Sequence, residues 1–263
     1  MKIDGNFGRE SWLRWQVKWQ SRFENVDESS LGSFLKKEFP RARIIPFVGM
    51  KRSGNHAIIN WSIHNCFEST LYLNSINSST NTPDSLVAYH SEHLIPREMD
   101  RIIITFENKL CQDLRDLDCN LIIRDPFNWL ASWVSHFHFS KDNIDTDIEM
   151  YLKNIKDSKE KIFFNEWFSN QSYRDSLAYR LGFSNRDTGI DIVTKHGKGS
   201  SFDRKSYDGK AREMKVLDRW KNMLESQIYV EKILLFKDDF GNVCKDYFPN
   251  IDFKNIISTL ENQ

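Results

Sequence analysis

The chain lacks net charge: Lys plus Arg and Asp plus Glu number 37 each among 263 residues. A protein that binds duplex nucleic acid carries a basic field that displaces counterions. No nucleic-acid polymer is therefore expected as a partner, and any anion must be met by a local cluster. Long apolar runs are also missing. No stretch approaches the roughly 20 apolar residues of a spanning helix, and Met1-Lys2-Ile3-Asp4-Gly5-Asn6 begins no apolar segment. The expectation is a cytoplasmic protein without a transmembrane segment. Cysteine is sparse: Cys66, Cys111, Cys119 and Cys244 show neither metal-ligand pairing nor the density of a disulfide framework. Reduced thiols and no metal follow. There is no internal repeat, and only the Asn/Ser-rich patch from Asn74 to Ser85 approaches low complexity.

What is present is 40% hydrophobic content, enough for one sizeable core. The chain divides into an N-terminal helical extension over 1–40 and an α/β domain over 41–263. In the extension, Trp12, Trp15, Trp19 and Phe23 recur at helical spacing with Arg and Lys between them. That pattern suits an amphipathic helix packed on the domain, or one that meets a membrane surface or a partner. Four short apolar runs read as strands: Ile44–Val48, Arg101–Phe106, Asn120–Ile123 and Lys161–Asn165. Continuously apolar strands alternating with helices predict a parallel sheet covered on both faces, with functional groups at the strands' carboxyl ends. Helices are expected over 110–117, 172–181 (stopping at Gly182) and 211–230. Residues 67–100 read as loop with short elements, and Ile233–Phe236 as a terminal strand or helix edge.

The first run leads into Gly49-Met50-Lys51-Arg52-Ser53-Gly54-Asn55-His56, and a helix follows from Ala57. Two glycines permit a tight turn, and the unpaired N–H groups at a helix start attract anions. Gly49 and Gly54 have the spacing of the GxxxxGK[ST] phosphate loop, but Asn55 and His56 stand where Lys and Ser or Thr belong. Those two residues serve triphosphates and magnesium, so their absence argues against ATP or GTP chemistry. The cations lie inside the loop instead, at Lys51 and Arg52. The alternative for this stretch alone is a buried strand, turn and helix without a ligand.

A second constellation is Arg124-Asp125-Pro126 with Ser132 eight residues after the arginine. Asp125 can cap the helix that Pro126 opens. Read alone, Arg124 pairs with Asp125 and Ser132 faces solvent.

The two motifs together resemble the sulfotransferases that use 3′-phosphoadenosine 5′-phosphosulfate, over about Ile44 to Trp220. The resemblance implies a P-loop-like α/β fold and transfer of a sulfuryl group to a hydroxyl or amine acceptor, a carbohydrate among the possibilities, without metal. It implies that Gly49, Lys51, Arg52, Ser53, Gly54, Asn55 and His56 hold the 5′-phosphosulfate. Arg52, with Lys51, would stabilise the transferring group, which carries about one negative charge fewer than a phosphoryl group. Arg124 and Ser132 would hold the 3′-phosphate. The basic loop Lys195–Phe202, with Lys198, Gly199, Ser200 and Ser201, resembles the segment that closes over the cofactor; its alternative is a linker. The family places a His or Glu base at the end of the second strand, where Glu107 stands. His90, Glu92 and His93 form the alternative base cluster. Competing functions are a P-loop nucleotide kinase or other phosphotransferase, and a non-catalytic nucleotide-binding protein.

Overall fold

The computed structural model describes residues 22, 26, 30–76, 83–89, 98–114, 116–136, 144–184, 186–193 and 202–262. Helix α1 (Leu31–Glu38) leads into β1 (Arg43–Gly49), α2 (Asn55–His64), β2 (Thr70–Ile76), β3 (Pro83–Tyr89), β4 (Arg101–Glu107) and β5 (Asn120–Ile123). Then come α3 (Pro126–His136), α4 (Ile144–Asp157), β6 (Glu160–Phe163), α5 (Phe164–Ser169) and α6 (Gln171–Leu181). Three helices follow: α7 (Gln227–Leu235), α8 (Lys237–Tyr247) and α9 (Phe253–Glu261).

The strands form one sheet in the order β3-β2-β4-β1-β5-β6. Every pairing is parallel except that of edge strand β3 with β2. The four expected strands are β1, β4, β5 and β6. Their apolar residues divide by parity, as a two-residue period requires. Val48, Ile102, Ile104, Phe106, Leu121 and Ile123 face one layer with α1, α3, α4 and α7 to α9. Ile45, Phe47, Ile103 and Ile122 face the other, with α2, α5 and α6. A sheet covered on both faces leaves few exposed positions in its strands, which is why these runs show no polar alternation. Leu31, Leu35 and Phe39, upstream of position 41, join the first layer.

Residues 67–100, expected as loop with short elements, contain the short strands β2 and β3, with Leu71, Tyr72 and Leu73 fully buried. Two expectations are corrected. Among its described residues the stretch 110–117 contains only a 3-10 turn, Cys111–Asp113. There the Asn154 side chain accepts from the Cys111 N–H (3.2 Å) and donates to the Lys109 carbonyl (2.7 Å), meeting backbone groups that a helix would otherwise pair. Residues 211–230 are two 3-10 turns, Ala211–Glu213 and Arg219–Met223, before α7 begins at Gln227. Here Arg124 donates to the Val216 carbonyl, Asn128 Nδ2 to that of Leu217 (2.8 Å), and the Trp220 N–H to Asn128 Oδ1 (3.2 Å). Tertiary partners thus overrode helix propensity, as they commonly do. Residues 233–235 close α7 and are not a strand. The expected stop of α6 at Gly182 is present, in a left-handed C-cap (φ 70°).

Candidate active site

Strand β1 lies at the centre of the sheet, between β4 and β5, so its carboxyl end faces the crevice where the chain changes direction. Gly49 pairs with Glu107 on one side and Ile122 on the other. The turn 50–54 then delivers the chain to α2, whose N-cap, Gly54, has φ 92° and no side chain to cap the helix. The Ala57 N–H closes on the Gly54 carbonyl at 3.0 Å, and the Asn55 and His56 N–H groups, which no side chain caps, are left to a ligand.

Both glycines are required by contact. A Cβ on Gly49 would fall 2.2 Å from Asn55 Oδ1, and one on Gly54 would fall 2.2 Å from the Phe164 ring. Asn55 folds back over Gly49, its amide donating to the Met50 carbonyl at 3.2 Å. It thereby braces the turn from the position where a P-loop carries Lys. The Lys51 N–H donates to Asn108 Oδ1 (2.9 Å), and the Lys51 carbonyl accepts from Trp129 Nε1 (2.9 Å). Ser53 Oγ and Asn55 Oδ1 are buried without a hydrogen-bond partner among the described residues, an arrangement that costs free energy unless a ligand or water completes it. Gly54→Ala should lower stability by at least about 1–2 kcal/mol from the left-handed backbone alone. The clash with Phe164 adds to this; a thermal unfolding curve that matches the parent would contradict the geometry.

Arg52 adopts a left-handed backbone (φ 74°), unusual for a residue other than glycine, and its side chain is half-buried. Burial pushes its guanidinium below the ordinary value, with Glu107 opposing that shift and Arg204 adding to it. Both charges thus lie within electrostatic reach of Arg52. Glu107 ends β4 as expected, 4.0 Å from His56 Nδ1. Lys51 is exposed, and its backbone rather than its ammonium ties it into the turn.

The second constellation is buried. Asp125 accepts from the Asn128 N–H (2.9 Å) and so caps α3; the Asn128 and Asn165 amides also donate to it. It does not pair with Arg124 among the described residues, contrary to the simplest alternative. Arg124 Nη1 instead donates to Ser132 Oγ at 3.0 Å, and its guanidinium lies 5.0 Å from the centre of the Phe164 ring. Ser132 is itself buried, not solvent-facing. A residue that the sequence did not mark joins them: Arg219 Nη1 approaches the same hydroxyl at 3.4 Å, and Arg219 Nη2 donates to Asp203 at 3.1 Å. Arg219 lies in a stretch read as helix, and no motif distinguishes it.

Two guanidinium groups thus converge on one hydroxyl, which accepts from both and keeps its own proton to donate. Burial, helped by the charge of Arg219 and opposed by that of Asp125, lowers Arg124 to about 9. It still carries its charge at neutral pH. Its Nε is buried with no partner among the described residues. Adjacent buried cations with an unmet donor form a site that an anion relieves.

The two constellations share a brace. The Trp129 ring, whose N–H holds the Lys51 carbonyl, stacks on Tyr151 with centroids 4.5 Å apart; the Tyr151 hydroxyl donates to the Arg124 carbonyl at 2.7 Å.

No protein-family model and no curated protein matches the chain in sequence. Among solved structures, a crystal structure of mouse sulfotransferase SULT7A1 complexed with PAP matches with a TM-score of 0.51 at 13% identity, covering 87% of this chain and 96% of that one. The chain has the sulfotransferase fold. Within this sulfotransferase fold, the expected residues Gly49 to His56, Glu107, Arg124 and Ser132 stand at the carboxyl ends of β1, β4 and β5 or on the helices just beyond. His90, Glu92 and His93, and the loop residues Lys198, Gly199, Ser200 and Ser201, lie outside the described residues, as do Trp12, Trp15, Trp19 and Phe23. Among the described residues no group of three or more metal-ligating side chains occurs, and no helix is long and apolar enough to cross a membrane. A cavity of about 820 Å³ between α8 and α9, lined in part by Lys237, Cys244, Ile251 and Phe253, contains none of the site residues.

Proposed function

We infer that the protein is a sulfotransferase that moves the sulfuryl group of 3′-phosphoadenosine 5′-phosphosulfate onto a hydroxyl-bearing acceptor. The observation that carries this reading is the buried cage of Arg124, Arg219 and Ser132, linked through Trp129 and Tyr151 to a phosphate loop that lacks the Lys-Ser/Thr pair. A 3′-phosphate would satisfy both arginines and accept the Ser132 proton, and it is what separates this donor from ATP. The PAP held by the mouse protein of the same fold agrees in chemistry.

In the reaction, an acceptor oxygen attacks sulfur in line with the bond to the 5′-phosphate. The new S–O bond forms as that bond breaks, and the pair of electrons leaves on the phosphate oxygen. Glu107 takes the acceptor's proton. Arg52 and the Asn55 and His56 N–H groups that open α2 offset the charge that develops on the sulfuryl and leaving oxygens. The position of Glu107, across the strand pair from Gly49 and within reach of Arg52, supports its role as base. The exposure of Lys51 supports Arg52 as the principal cation.

The test is thermal stabilisation. 3′-Phosphoadenosine 5′-phosphate at about 100 times its dissociation constant adds about 2.7 kcal/mol. A rise of several degrees in Tm is expected from it and none from ATP with magnesium. Equal stabilisation by both, or by neither, would overturn the donor assignment and favour the phosphotransferase or another ligand class.

A further inference from the structure

The second cation of the cage is already engaged by an anion of the chain itself. Arg219 Nη2 donates to Asp203 Oδ2 at 3.1 Å, whereas Arg219 Nη1 reaches Ser132 Oγ only at 3.4 Å. The Phe202 ring centre lies 5.1 Å from the same guanidinium, so two consecutive residues of one turn engage it. Arg124 differs: it donates to a hydroxyl and a backbone carbonyl, and Arg219 to a full negative charge.

The pair is unequal in burial. Of the Arg219 side chain 9% is exposed, against 30% of Asp203. A buried guanidinium depends on a counter-charge, while a carboxylate that already borders water gives up less on letting go. Burial pushes Arg219 below its ordinary value, and the charge and hydrogen bond of Asp203 oppose that shift. The turn that carries Asp203 is pinned by other bonds. The Ser206 N–H donates to the Asp203 carbonyl (3.0 Å), Asp208 Oδ1 accepts from the Val193 N–H (3.1 Å), and the Ala211 N–H donates to the Asp191 carbonyl (3.1 Å). None of these uses the Asp203 carboxylate, which can therefore leave Arg219 while the turn keeps its shape.

We propose that Asp203 competes with a bound phosphate for Arg219, and so sets the affinity of the cage without itself holding the nucleotide. Two anions cannot share one buried guanidinium at equal strength, because each repels the other across it. A site with an internal competitor binds with an affinity reduced by the fraction of molecules in which that competitor has let go. Asp203 is thus a positioning residue that acts through Arg219. That the phosphate is the 3′-phosphate of the nucleotide rests on the donor reading above; the competition itself does not.

The experiment is calorimetry with 3′-phosphoadenosine 5′-phosphate on the parent, Asp203→Asn, Arg219→Ala and the double variant. Asparagine keeps the size of the side chain and an oxygen for Arg219 Nη2, but not the charge. Asp203→Asn should bind about fivefold or more tighter than the parent. Arg219→Ala and the double variant should bind alike, and adenosine 5′-phosphate should not distinguish Asp203→Asn from the parent. Melted without nucleotide, Asp203→Asn should show a lower Tm, since Arg219 stays buried and loses its counter-charge; an unchanged or higher Tm contradicts that role. Weaker binding by Asp203→Asn would make Asp203 a support of Arg219, and unchanged affinity would leave it no part in the cage. A gain that persists without Arg219 would be repulsion through space, and an equal gain for adenosine 5′-phosphate a general effect of charge. Each of these four results overturns the competition. If the parent does not bind the bisphosphate nucleotide, the donor reading fails, and the four proteins are melted with and without inorganic phosphate instead. A larger rise in Tm for Asp203→Asn than for the parent, absent from the two proteins that lack Arg219, still supports the competition; equal rises, or none, overturn it.

Discussion

Arg124→Ala should weaken binding of 3′-phosphoadenosine 5′-phosphate about 100-fold or more. The scale follows from losing at least one charge-assisted hydrogen bond, worth about 1.5–3 kcal/mol each, from a site shut off from water. Arg219→Ala should cost about 10-fold to 100-fold on the same grounds, since it approaches the same Ser132 hydroxyl and is also buried. Arg124→Lys is the informative companion. It keeps the charge but loses the planar fork that serves Ser132 and Val216 together, so it should recover only part of the loss. Adenosine 5′-phosphate, which has no 3′-phosphate, should bind the parent and Arg124→Ala equally. If calorimetry finds the same affinity for the bisphosphate nucleotide in the parent and in a folded Arg124→Ala, the cage does not hold a 3′-phosphate.

Glu107→Gln should lower turnover about 100-fold or more and leave nucleotide binding close to the parent's, because the amide keeps the size of the carboxylate but cannot take a proton. The geometry adds a condition. Glu107 counters the like-charge effect of Arg204 on Arg52, so the variant loses a counter-charge beside the transferring group as well as a base. A pH profile separates the two effects: loss of a base removes the acidic limb of kcat, and loss of a counter-charge lowers the rate at every pH. His56→Asn belongs in the same series, since His56 Nδ1 stands 4.0 Å from the carboxylate. So do His90→Asn, Glu92→Gln and His93→Asn. Near-full turnover by Glu107→Gln, with loss in one of the latter three, would move the base to the 90–93 cluster and leave the donor site intact.

The legible part of the site was local in sequence. Gly49, Arg52, Ser53 and Gly54 are set by a turn that only certain backbones can make, and a turn's requirements are written in consecutive residues. Arg124, Asp125 and Pro126 form a strand end and a helix cap, also local, and Ser132 follows two turns along the same helix. Arg219 was not legible. It reaches Ser132 from 87 positions away, and nothing near it in the chain records that contact. The misread helix over 211–230 has the same origin: its backbone is held by Arg124 and Asn128, whose presence there only the folded chain decides.

The sequence by itself determined the parallel strands, because residues buried on both faces must be apolar in unbroken runs. It also determined the tight β1–α2 turn with its cations inside it, because two glycines at that spacing permit such a turn. Tertiary structure decided the rest. It showed that Asp125 caps α3 through Asn128 and is also taken up by Asn165, 40 positions on, which leaves Arg124 for Ser132. It brought Arg219 to the same hydroxyl and Glu107 within electrostatic reach of Arg52. Like charges approach this closely only where packing elsewhere fixes the backbone, and that packing is a property of the whole chain rather than of any stretch of it.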